Sequence, residues 1–204
     1  MKKYNIHNKR NSKTEKKEKK KFNIMGYTII FIMVSSIFGY MWVGNSQDVE
    51  KYNDFKFSKQ GNDWVTKVDG EEVRANYMPQ FVEDIKLDES VKKIFEQKVI
   101  QLTYDPTQDF LQNIAQSRFL LEKGLQKKGY YTVLGLKINT SMTDISMITC
   151  KDATANSPVI DFVLNNETKI VSEDNCVTVY SKDGIDFIRA KDRLLYHIFG
   201  VIDE

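Results

Sequence analysis

The two cysteines are the residues of this chain whose chemistry is easiest to anticipate. Cys150 and Cys176 lie 26 positions apart, and the sequence contains no other cysteine. In an oxidising compartment such a pair is expected to form a disulfide, which the chain-entropy model values at about 3 to 3.5 kcal/mol. Two separate buried thiols are the alternative. A zinc site is disfavoured because His197 is the only histidine that residues 55–204 could add to the pair.

Asp105 and Asp109 form the carboxylate pair best placed to act as an acid–base site. They follow the strand-like run 98–104, at the kind of strand end where α/β sheets bind ligands. A structural interpretation is favoured, because Asp105 can start a turn and Asp109 can complement the N-terminus of the next helix. The sequence has no nucleotide-binding glycine loop and no HExxH, GxSxG or CxxC motif. No catalytic, cofactor-binding or metal-binding residue is therefore assigned, and no cofactor is expected.

The remaining polar candidates carry weaker signals. Asn139 and Asn166 begin N-glycosylation sequons in predicted loops, and this short motif often arises by chance. His197 is interpreted as a packed or capping histidine near the end of the last predicted helix. Asp192 and Arg193, adjacent on the same helix, are interpreted as solvated or capping charges rather than as an ion-binding pair.

The elements that position these residues begin with a predicted β-meander. The runs 55–57, 64–68 and 73–77 alternate apolar and polar residues, which is typical of strands with one buried face. Asp69 and Gly70 separate the second run from the third, and an Asp-Gly pair between two strands favours a type I′ hairpin turn. The meander is followed by two short predicted helices, 80–87 and 89–97.

A βαβ unit is predicted next, with strands at 98–104 and 130–138 joined by a helix over 108–127, which Thr107 is placed to cap. The C-terminal β region has short strands at 159–164, 168–171 and 177–180. A final helix is predicted over 184–199, stopped by Gly200. Its expected buried face consists of Ile185, Ile188, Leu194, Leu195 and Ile198. The pattern indicates one α+β domain, 55–204, containing a β-meander, a βαβ unit, a C-terminal β region and a terminal helix.

An uncharged stretch precedes this domain. Residues 22–43 form a run of 22 residues without a charge. A helix of that length is roughly 33 Å long, enough to cross a hydrocarbon core of about 30 Å. The stretch is interpreted as a transmembrane helix that serves as a signal anchor. A cleaved signal peptide is less favoured because the apolar core is long and no small-x-small site follows it.

The charges that flank the span predict its orientation. Residues 1–21 contain ten Lys or Arg and two Glu, whereas residues 44–50 contain no Lys or Arg. The positive-inside rule therefore places the tail, 1–21, in the cytoplasm and sends the linker, 44–54, and the domain outside the cell membrane. The tail is expected to be disordered, and its cations to contact anionic lipid head groups of the bilayer. The whole chain carries net charge +2, but the tail alone carries +8, from ten Lys or Arg less two Glu, so the residues after the tail are acidic on balance. No nucleic acid is therefore expected to bind the outer domain.

Several short strings in the outer domain resemble those of a group of single-span archaeal membrane proteins of unknown function. They are residues 148–150, 152–154, 157–160, 175–177, 192–196 and 199–201, together with the early Phe-Lys-Phe, Trp, Asp-Gly and Pro79 pattern. The resemblance implies membrane anchoring and supports the cysteine pair. It supplies neither an activity nor a catalytic residue.

These observations favour a non-enzymatic envelope protein whose outer domain binds another protein or a surface polymer. The alternative is a membrane-tethered hydrolase or transferase that acts on an extracytoplasmic substrate near Asp105 and Asp109. A small subunit of a larger membrane complex is a third interpretation. Which ligand, partner or substrate is bound does not follow from the sequence.

Overall fold

The computed structural model describes residues 24–38, 48–138 and 145–202, and the chain divides into two compact units, 1–47 and 48–204. In the first unit, residues 24–38 form helix α1, and every one of these residues is exposed. Within the described residues, no helix has the length and apolar character needed to cross a membrane. The predicted tail and both ends of the predicted span, 22–23 and 39–43, lie outside the described residues.

The second unit begins with a four-stranded antiparallel sheet. Its strands, in spatial and chain order, are β1 (Val49–Tyr52), β2 (Phe55–Gln60), β3 (Asp63–Val68) and β4 (Glu71–Ala75). The predicted meander is thus present, and Asp69 and Gly70 take φ values of 52° and 87°, the positive angles of a type I′ turn. Strand β1 was not predicted. It lies in the proposed linker and pairs with β2 because the hairpin exposes an unpaired edge that residues 49–52 can extend.

A six-stranded mixed sheet forms the centre of the unit, in the order β5-β9-β10-β8-β6-β7. Its strands are β5 (Lys86–Leu87), β6 (Val99–Tyr104), β7 (Tyr131–Leu134), β8 (Val159–Leu164), β9 (Lys169–Glu173) and β10 (Cys176–Ser181). Strands β6 and β7 are parallel neighbours, which confirms the βαβ unit. β10 lies parallel to β8 and antiparallel to β9, with Asp174 and Asn175 forming the tight turn between β9 and β10.

Three helices belong to this unit: α2 (Val91–Ile94), α3 (Leu111–Lys127) and α4 (Gly184–Phe199). Helix α4 has the bounds predicted from the sequence; Asp183 accepts a hydrogen bond from the Asp186 N–H at its start, and Gly200 ends it with φ 69°. The prediction of a helix over 80–87 was wrong. Pro79–Phe81 form a single 3₁₀ turn, and β5 follows because pairing with β9 prevails over the helical spacing of Val82 and Ile85.

Helix α3 starts three residues later than predicted. Thr107 does not cap it; instead Phe110 sits before the first turn in the left-handed conformation, with φ 61°. The Gln108 side chain is occupied elsewhere, because its amide donates to the Phe162 carbonyl and accepts from the Leu164 N–H. Gln108 thus completes the end of β8 rather than extending the helix.

The two faces of the six-stranded sheet are covered differently. One face carries the main core, in which α3 and α4 pack against Ile100, Leu102, Phe162, Val177 and Val179. The opposite face carries a small second core of Ile148, Val159 and Cys176, with Cys150 and Ala153 packed against it. The segment 145–158, which supplies Ile148 and Cys150, is therefore the cover of this second face, and Asp161 of β8 lies on the same face.

Candidate functional site

The cysteine pair lies on the second face of the six-stranded sheet. Cys150 and Cys176 are at disulfide distance, with their Cα atoms 5.4 Å apart, as the sequence predicted. Cys176 begins β10 and is 5% exposed, whereas Cys150 is half-buried in the 3₁₀ turn Cys150–Asp152. Thr149 and Asp152 fix this turn through a reciprocal capping box. The disulfide thus attaches segment 145–158 to the centre of the sheet.

Asp161 is a buried carboxylate beside this disulfide. It lies within β8 and is 3% exposed. Its Oδ2 accepts a hydrogen bond from Lys137 Nζ at 2.8 Å and lies 3.8 Å from Cys150 Sγ. Its Oδ1 has no hydrogen-bond partner within the described residues. Burial raises the pKa of the Asp161 carboxyl above its usual range, and Lys137 only partly offsets this effect.

The neighbouring strands explain why Asp161 meets the turn. Thr103 of β6 and Thr178 of β10 are its partners in register on either side, so all three side chains stand on the second face. The Thr103 hydroxyl donates to the Ile148 carbonyl at 2.7 Å, which holds the segment leading to Cys150 against the sheet. Lys137 reaches Asp161 from the end of β7, where its backbone N–H donates to the Tyr104 carbonyl.

An open cavity gives access to the disulfide from solvent. Its volume is about 460 Å³, and it is lined by Cys150, Lys151, Ala153, Glu173, Asp174, Cys176 and Thr178. The lining combines the two cysteines with charged residues of both signs. A small thiol or a loop of a partner can therefore approach the half-buried sulfur of Cys150.

Asp105 and Asp109 do not form a comparable cluster. Asp105 accepts hydrogen bonds from the Thr107 hydroxyl and N–H, at 2.7 and 2.8 Å, and these bonds lower the pKa of its carboxyl. Asp109 is exposed. The carboxylate of Asp105 is thus used in a local turn, and the structural role of the pair remains a prediction.

The interpretation of Asp192 and Arg193 as solvated charges was wrong, because Lys191, Asp192 and Arg193 are all buried. Asp192 accepts hydrogen bonds from Lys191 Nζ and, at 2.9 Å each, from the N–H groups of Asn76 and Tyr77. Lys191 also donates to Asn76 Oδ1 at 3.1 Å. These contacts attach α4 to the chain that follows β4, so the cluster joins the two sheets.

The other candidate residues are dispersed. Asn166 is exposed in the turn after β8, and Asn139 lies outside the described residues. His197 lines a cavity of about 600 Å³ near the ends of α2 and α4, together with Phe95, Tyr130 and Phe199. The described residues contain no group of three or more His, Cys, Asp or Glu side chains that could hold a metal ion.

Sequence reasoning assigned no role to Asp161, although one signal was present. Asp161 is the only polar residue in the apolar run 159–164, and an acidic residue inside a buried strand is unusual. Its proximity to Lys137 and Cys150 depends on which strands become neighbours, and the sequence pattern alone does not specify that order.

Comparison with known proteins gives no further assignment. A scan against models of protein families, a search of curated proteins and a search of solved structures each found no match.

Proposed function

We propose that this chain is a single-pass membrane protein whose folded unit lies outside the membrane and binds a partner protein there. The observation that carries the proposal is α1, an uncharged helix in which all described side chains are exposed. Ile29, Phe31 and Phe38 are among its exposed apolar residues. Exposed apolar surface of this kind requires a cover, and residues 22–43 have the length that a bilayer needs.

The polar residues of α1 fit the same environment. The hydroxyls of Thr28, Ser35 and Ser36 donate to carbonyls one turn earlier, at Ile24, Phe31 and Ile32, with distances of 3.1, 2.6 and 2.8 Å. A hydroxyl satisfied by its own helix can enter hydrocarbon without losing a hydrogen bond.

Two features support an extracytoplasmic position for the folded unit. Cys150 and Cys176 are at disulfide distance, and disulfides persist outside the reducing cytoplasm. Ten Lys or Arg precede the uncharged stretch, and none follows in residues 44–50.

The edge strand β7 is the surface best suited to a protein partner. Tyr131 and Val133 are 75% and 42% exposed on this edge. The N–H groups of Tyr131 and Gly135 donate to β6, so those of Thr132 and Leu134 point to the outer side. Further along this edge, the Leu136 N–H already pairs with another segment of the chain, since it donates to the Ser146 carbonyl. An extended segment of a partner can continue this pairing, with Tyr131 and Val133 contacting its side chains.

Crosslinking in native membranes, followed by purification of the full chain in mild detergent, tests partner binding. The change Val133→Lys places a charge on the edge and is expected to abolish the crosslinked partner. The matched control is Phe119→Lys, which charges another exposed apolar position, on α3, and is expected to leave the partner unchanged. Equal recovery of the partner with both variants would contradict the role of β7.

A reporter fused after Glu204 tests the orientation. The full chain is expected to place the reporter outside, whereas replacing Lys16, Lys17, Lys19, Lys20 and Lys21 by Glu is expected to weaken or invert this topology. A reporter that is active only in the cytosol in the unchanged chain would refute the proposed orientation.

A further inference from the structure

The environment of the Cys150–Cys176 disulfide contains more than a structural crosslink needs. A disulfide is uncharged and stabilises a fold without any ionisable neighbour. Here a carboxyl group that is 3% exposed lies beside it, with Asp161 Oδ2 at 3.8 Å from Cys150 Sγ. Burying a carboxyl group in this way is costly, and no described residue satisfies its Oδ1. Groups kept buried at such a cost are concentrated at functional sites.

The positions of the two sulfur atoms suit thiol–disulfide exchange. Both cysteines line the open cavity, but Cys150 is half-buried whereas Cys176 is 5% exposed, so Cys150 is the more accessible of the two to an incoming thiolate. A proton donor beside the sulfur that leaves and re-forms can assist exchange, because it neutralises the departing thiolate. Asp161 is the carboxyl group in contact with the reachable sulfur.

We propose that the Cys150–Cys176 disulfide exchanges reversibly with dithiols, and that the Asp161 carboxyl group transfers the proton to and from Cys150 Sγ. This reaction involves neither residues 22–43 nor the edge of β7. Its test is therefore independent of the tests of membrane anchoring and partner binding.

The reaction proceeds in two balanced steps. A thiolate of the dithiol attacks Cys150 Sγ, the bond between the two protein sulfurs breaks, and Cys176 leaves as a thiolate that takes a proton from solvent. The second thiolate of the dithiol then attacks the other dithiol sulfur, which is bonded to Cys150 Sγ in the mixed disulfide. This attack expels Cys150, which receives its proton from the Asp161 carboxyl group. The dithiol becomes a disulfide and loses two electrons and two protons, while the protein disulfide becomes two thiols. In the reverse direction, the Asp161 carboxylate takes the proton from Cys150.

The charges around Asp161 determine how this step depends on pH. Lys137 approaches from the end of β7, Asp105 from the end of β6, and Cys150 from the 3₁₀ turn. The positive charge of Lys137 lowers the pKa of Asp161, and the negative charge of Asp105 raises it. Removing the charge of Lys137 must therefore move the titration of Asp161 to higher pH.

The experiment follows the reaction of the full chain with dithiothreitol by acid quenching and mass measurement. It gives the rate constants, corrected for the thiolate fraction of the reagent, for formation of the mixed disulfide at Cys150 and for its resolution, across the pH range in which carboxyl groups titrate. Asp161→Asn is expected to slow resolution of the mixed disulfide by about 10²-fold and to remove the carboxyl inflection from the profile of that step. Lys137→Gln changes a side chain that is 31% exposed and is expected to shift the inflection to higher pH. Glu89→Gln changes an exposed carboxylate that does not line this cavity, and as the control it should leave the profile unchanged.

An unchanged rate and inflection in Asp161→Asn would overturn the proposal, as would native protein reduced no faster than the unfolded chain. If Asp161→Asn does not fold, Lys137→Gln decides the question. A shift of its inflection to higher pH supports proton transfer by Asp161, and a fixed inflection shows that the carboxyl group is only structural.

Discussion

Asp192 is fully buried, and its carboxylate is contacted by three donors from two parts of the fold. Lys191 Nζ is adjacent on α4, and the N–H groups of Asn76 and Tyr77 come from the chain after β4. Burial raises the pKa of Asp192, while Lys191 and the backbone donors oppose this effect. The Tyr196 hydroxyl adds a bond from the same helix to the Tyr77 carbonyl at 2.5 Å. Together these contacts determine where α4 docks.

Asp192→Ala is expected to lower the free energy of unfolding by about 3 to 5 kcal/mol, because two buried N–H groups would lose their acceptor and the buried Lys191 ammonium would lose its counter-charge, keeping only Asn76 Oδ1. Denaturant unfolding of the full chain measures the change. Asp84→Ala is the control: Asp84 is 68% exposed and pairs with Arg189, so its loss should cost less than about 1 kcal/mol. Similar costs for the two variants would show that the buried cluster does not hold α4 in place.

Asp186 is a second residue whose charge contributes to stability, at the start of α4. Burial opposes its ionisation, but hydrogen bonds from Thr168 and Arg189, with the charge of Lys182, outweigh that effect and lower the pKa of its carboxyl. A lowered folded pKa means that the stabilisation is fully present above the ordinary value of 3.8 and is lost as pH falls through the folded value.

Asp186→Asn is therefore expected to destabilise the fold by about 2 kcal/mol at neutral pH, with a difference from the unchanged chain that shrinks in acid. Denaturant unfolding over a series of pH values follows this difference. Glu89→Gln, at an exposed carboxylate, is the control and should change the free energy of unfolding by less than about 0.5 kcal/mol at neutral pH. A difference that persists in acid would mean that the charge of Asp186 is not what stabilises the fold.

Helices and strands were predicted correctly where residues close in sequence determine their ends. Helix α4 has the predicted bounds because Asp183 and Gly200 determine its ends locally. Its buried face was predicted less well: Leu194 and Leu195 are buried, whereas Ile185 is exposed. The charged residues 191–193 are buried instead. Lys191 and Asp192 have partners at Asn76 and Tyr77, more than a hundred residues away in sequence, which no local pattern predicts.

The same distinction explains the wrong and missing elements. Strands β1 and β5 exist through pairing with β2 and β9, and short runs that depend on a distant partner have no periodic signal of their own. For the candidate site, the cysteine pair followed from the cysteine count and the predicted compartment. Asp161 and Lys137 did not, because they become neighbours only through the order β8-β6-β7.

The turn between β3 and β4 offers a test of local control. Gly70 has φ 87°, and a Cβ atom added there would meet no atom within 4 Å. Gly70→Ala is therefore expected to cost about 1 kcal/mol through backbone strain alone, as measured by thermal or denaturant unfolding. Asp69→Asn is the control, since Asn tolerates the left-handed conformation equally well, and it should be nearly neutral. An equal loss in both variants would point to side-chain contacts of the turn.

The whole molecule combines an uncharged helix with a folded unit that contains a disulfide. Residues 1–21 are strongly basic, α1 exposes apolar side chains throughout, and the only two cysteines are brought together on one sheet face. Each feature suits an anchored protein whose folded unit faces a non-reducing compartment. The state and accessibility of the cysteines therefore test the location and the chemistry together.

Thiol labelling of the full chain in intact cells tests most directly whether the folded unit lies outside the membrane and contains the Cys150–Cys176 disulfide. A membrane-impermeant maleimide is added before and after a membrane-impermeant reductant, and the mass shift of the purified chain is measured. We expect no labelling before reduction, because Cys150 and Cys176 are bonded to each other, and labelling after reduction without cell lysis. Labelling without reductant, or only after lysis, would contradict an external folded unit held by a disulfide.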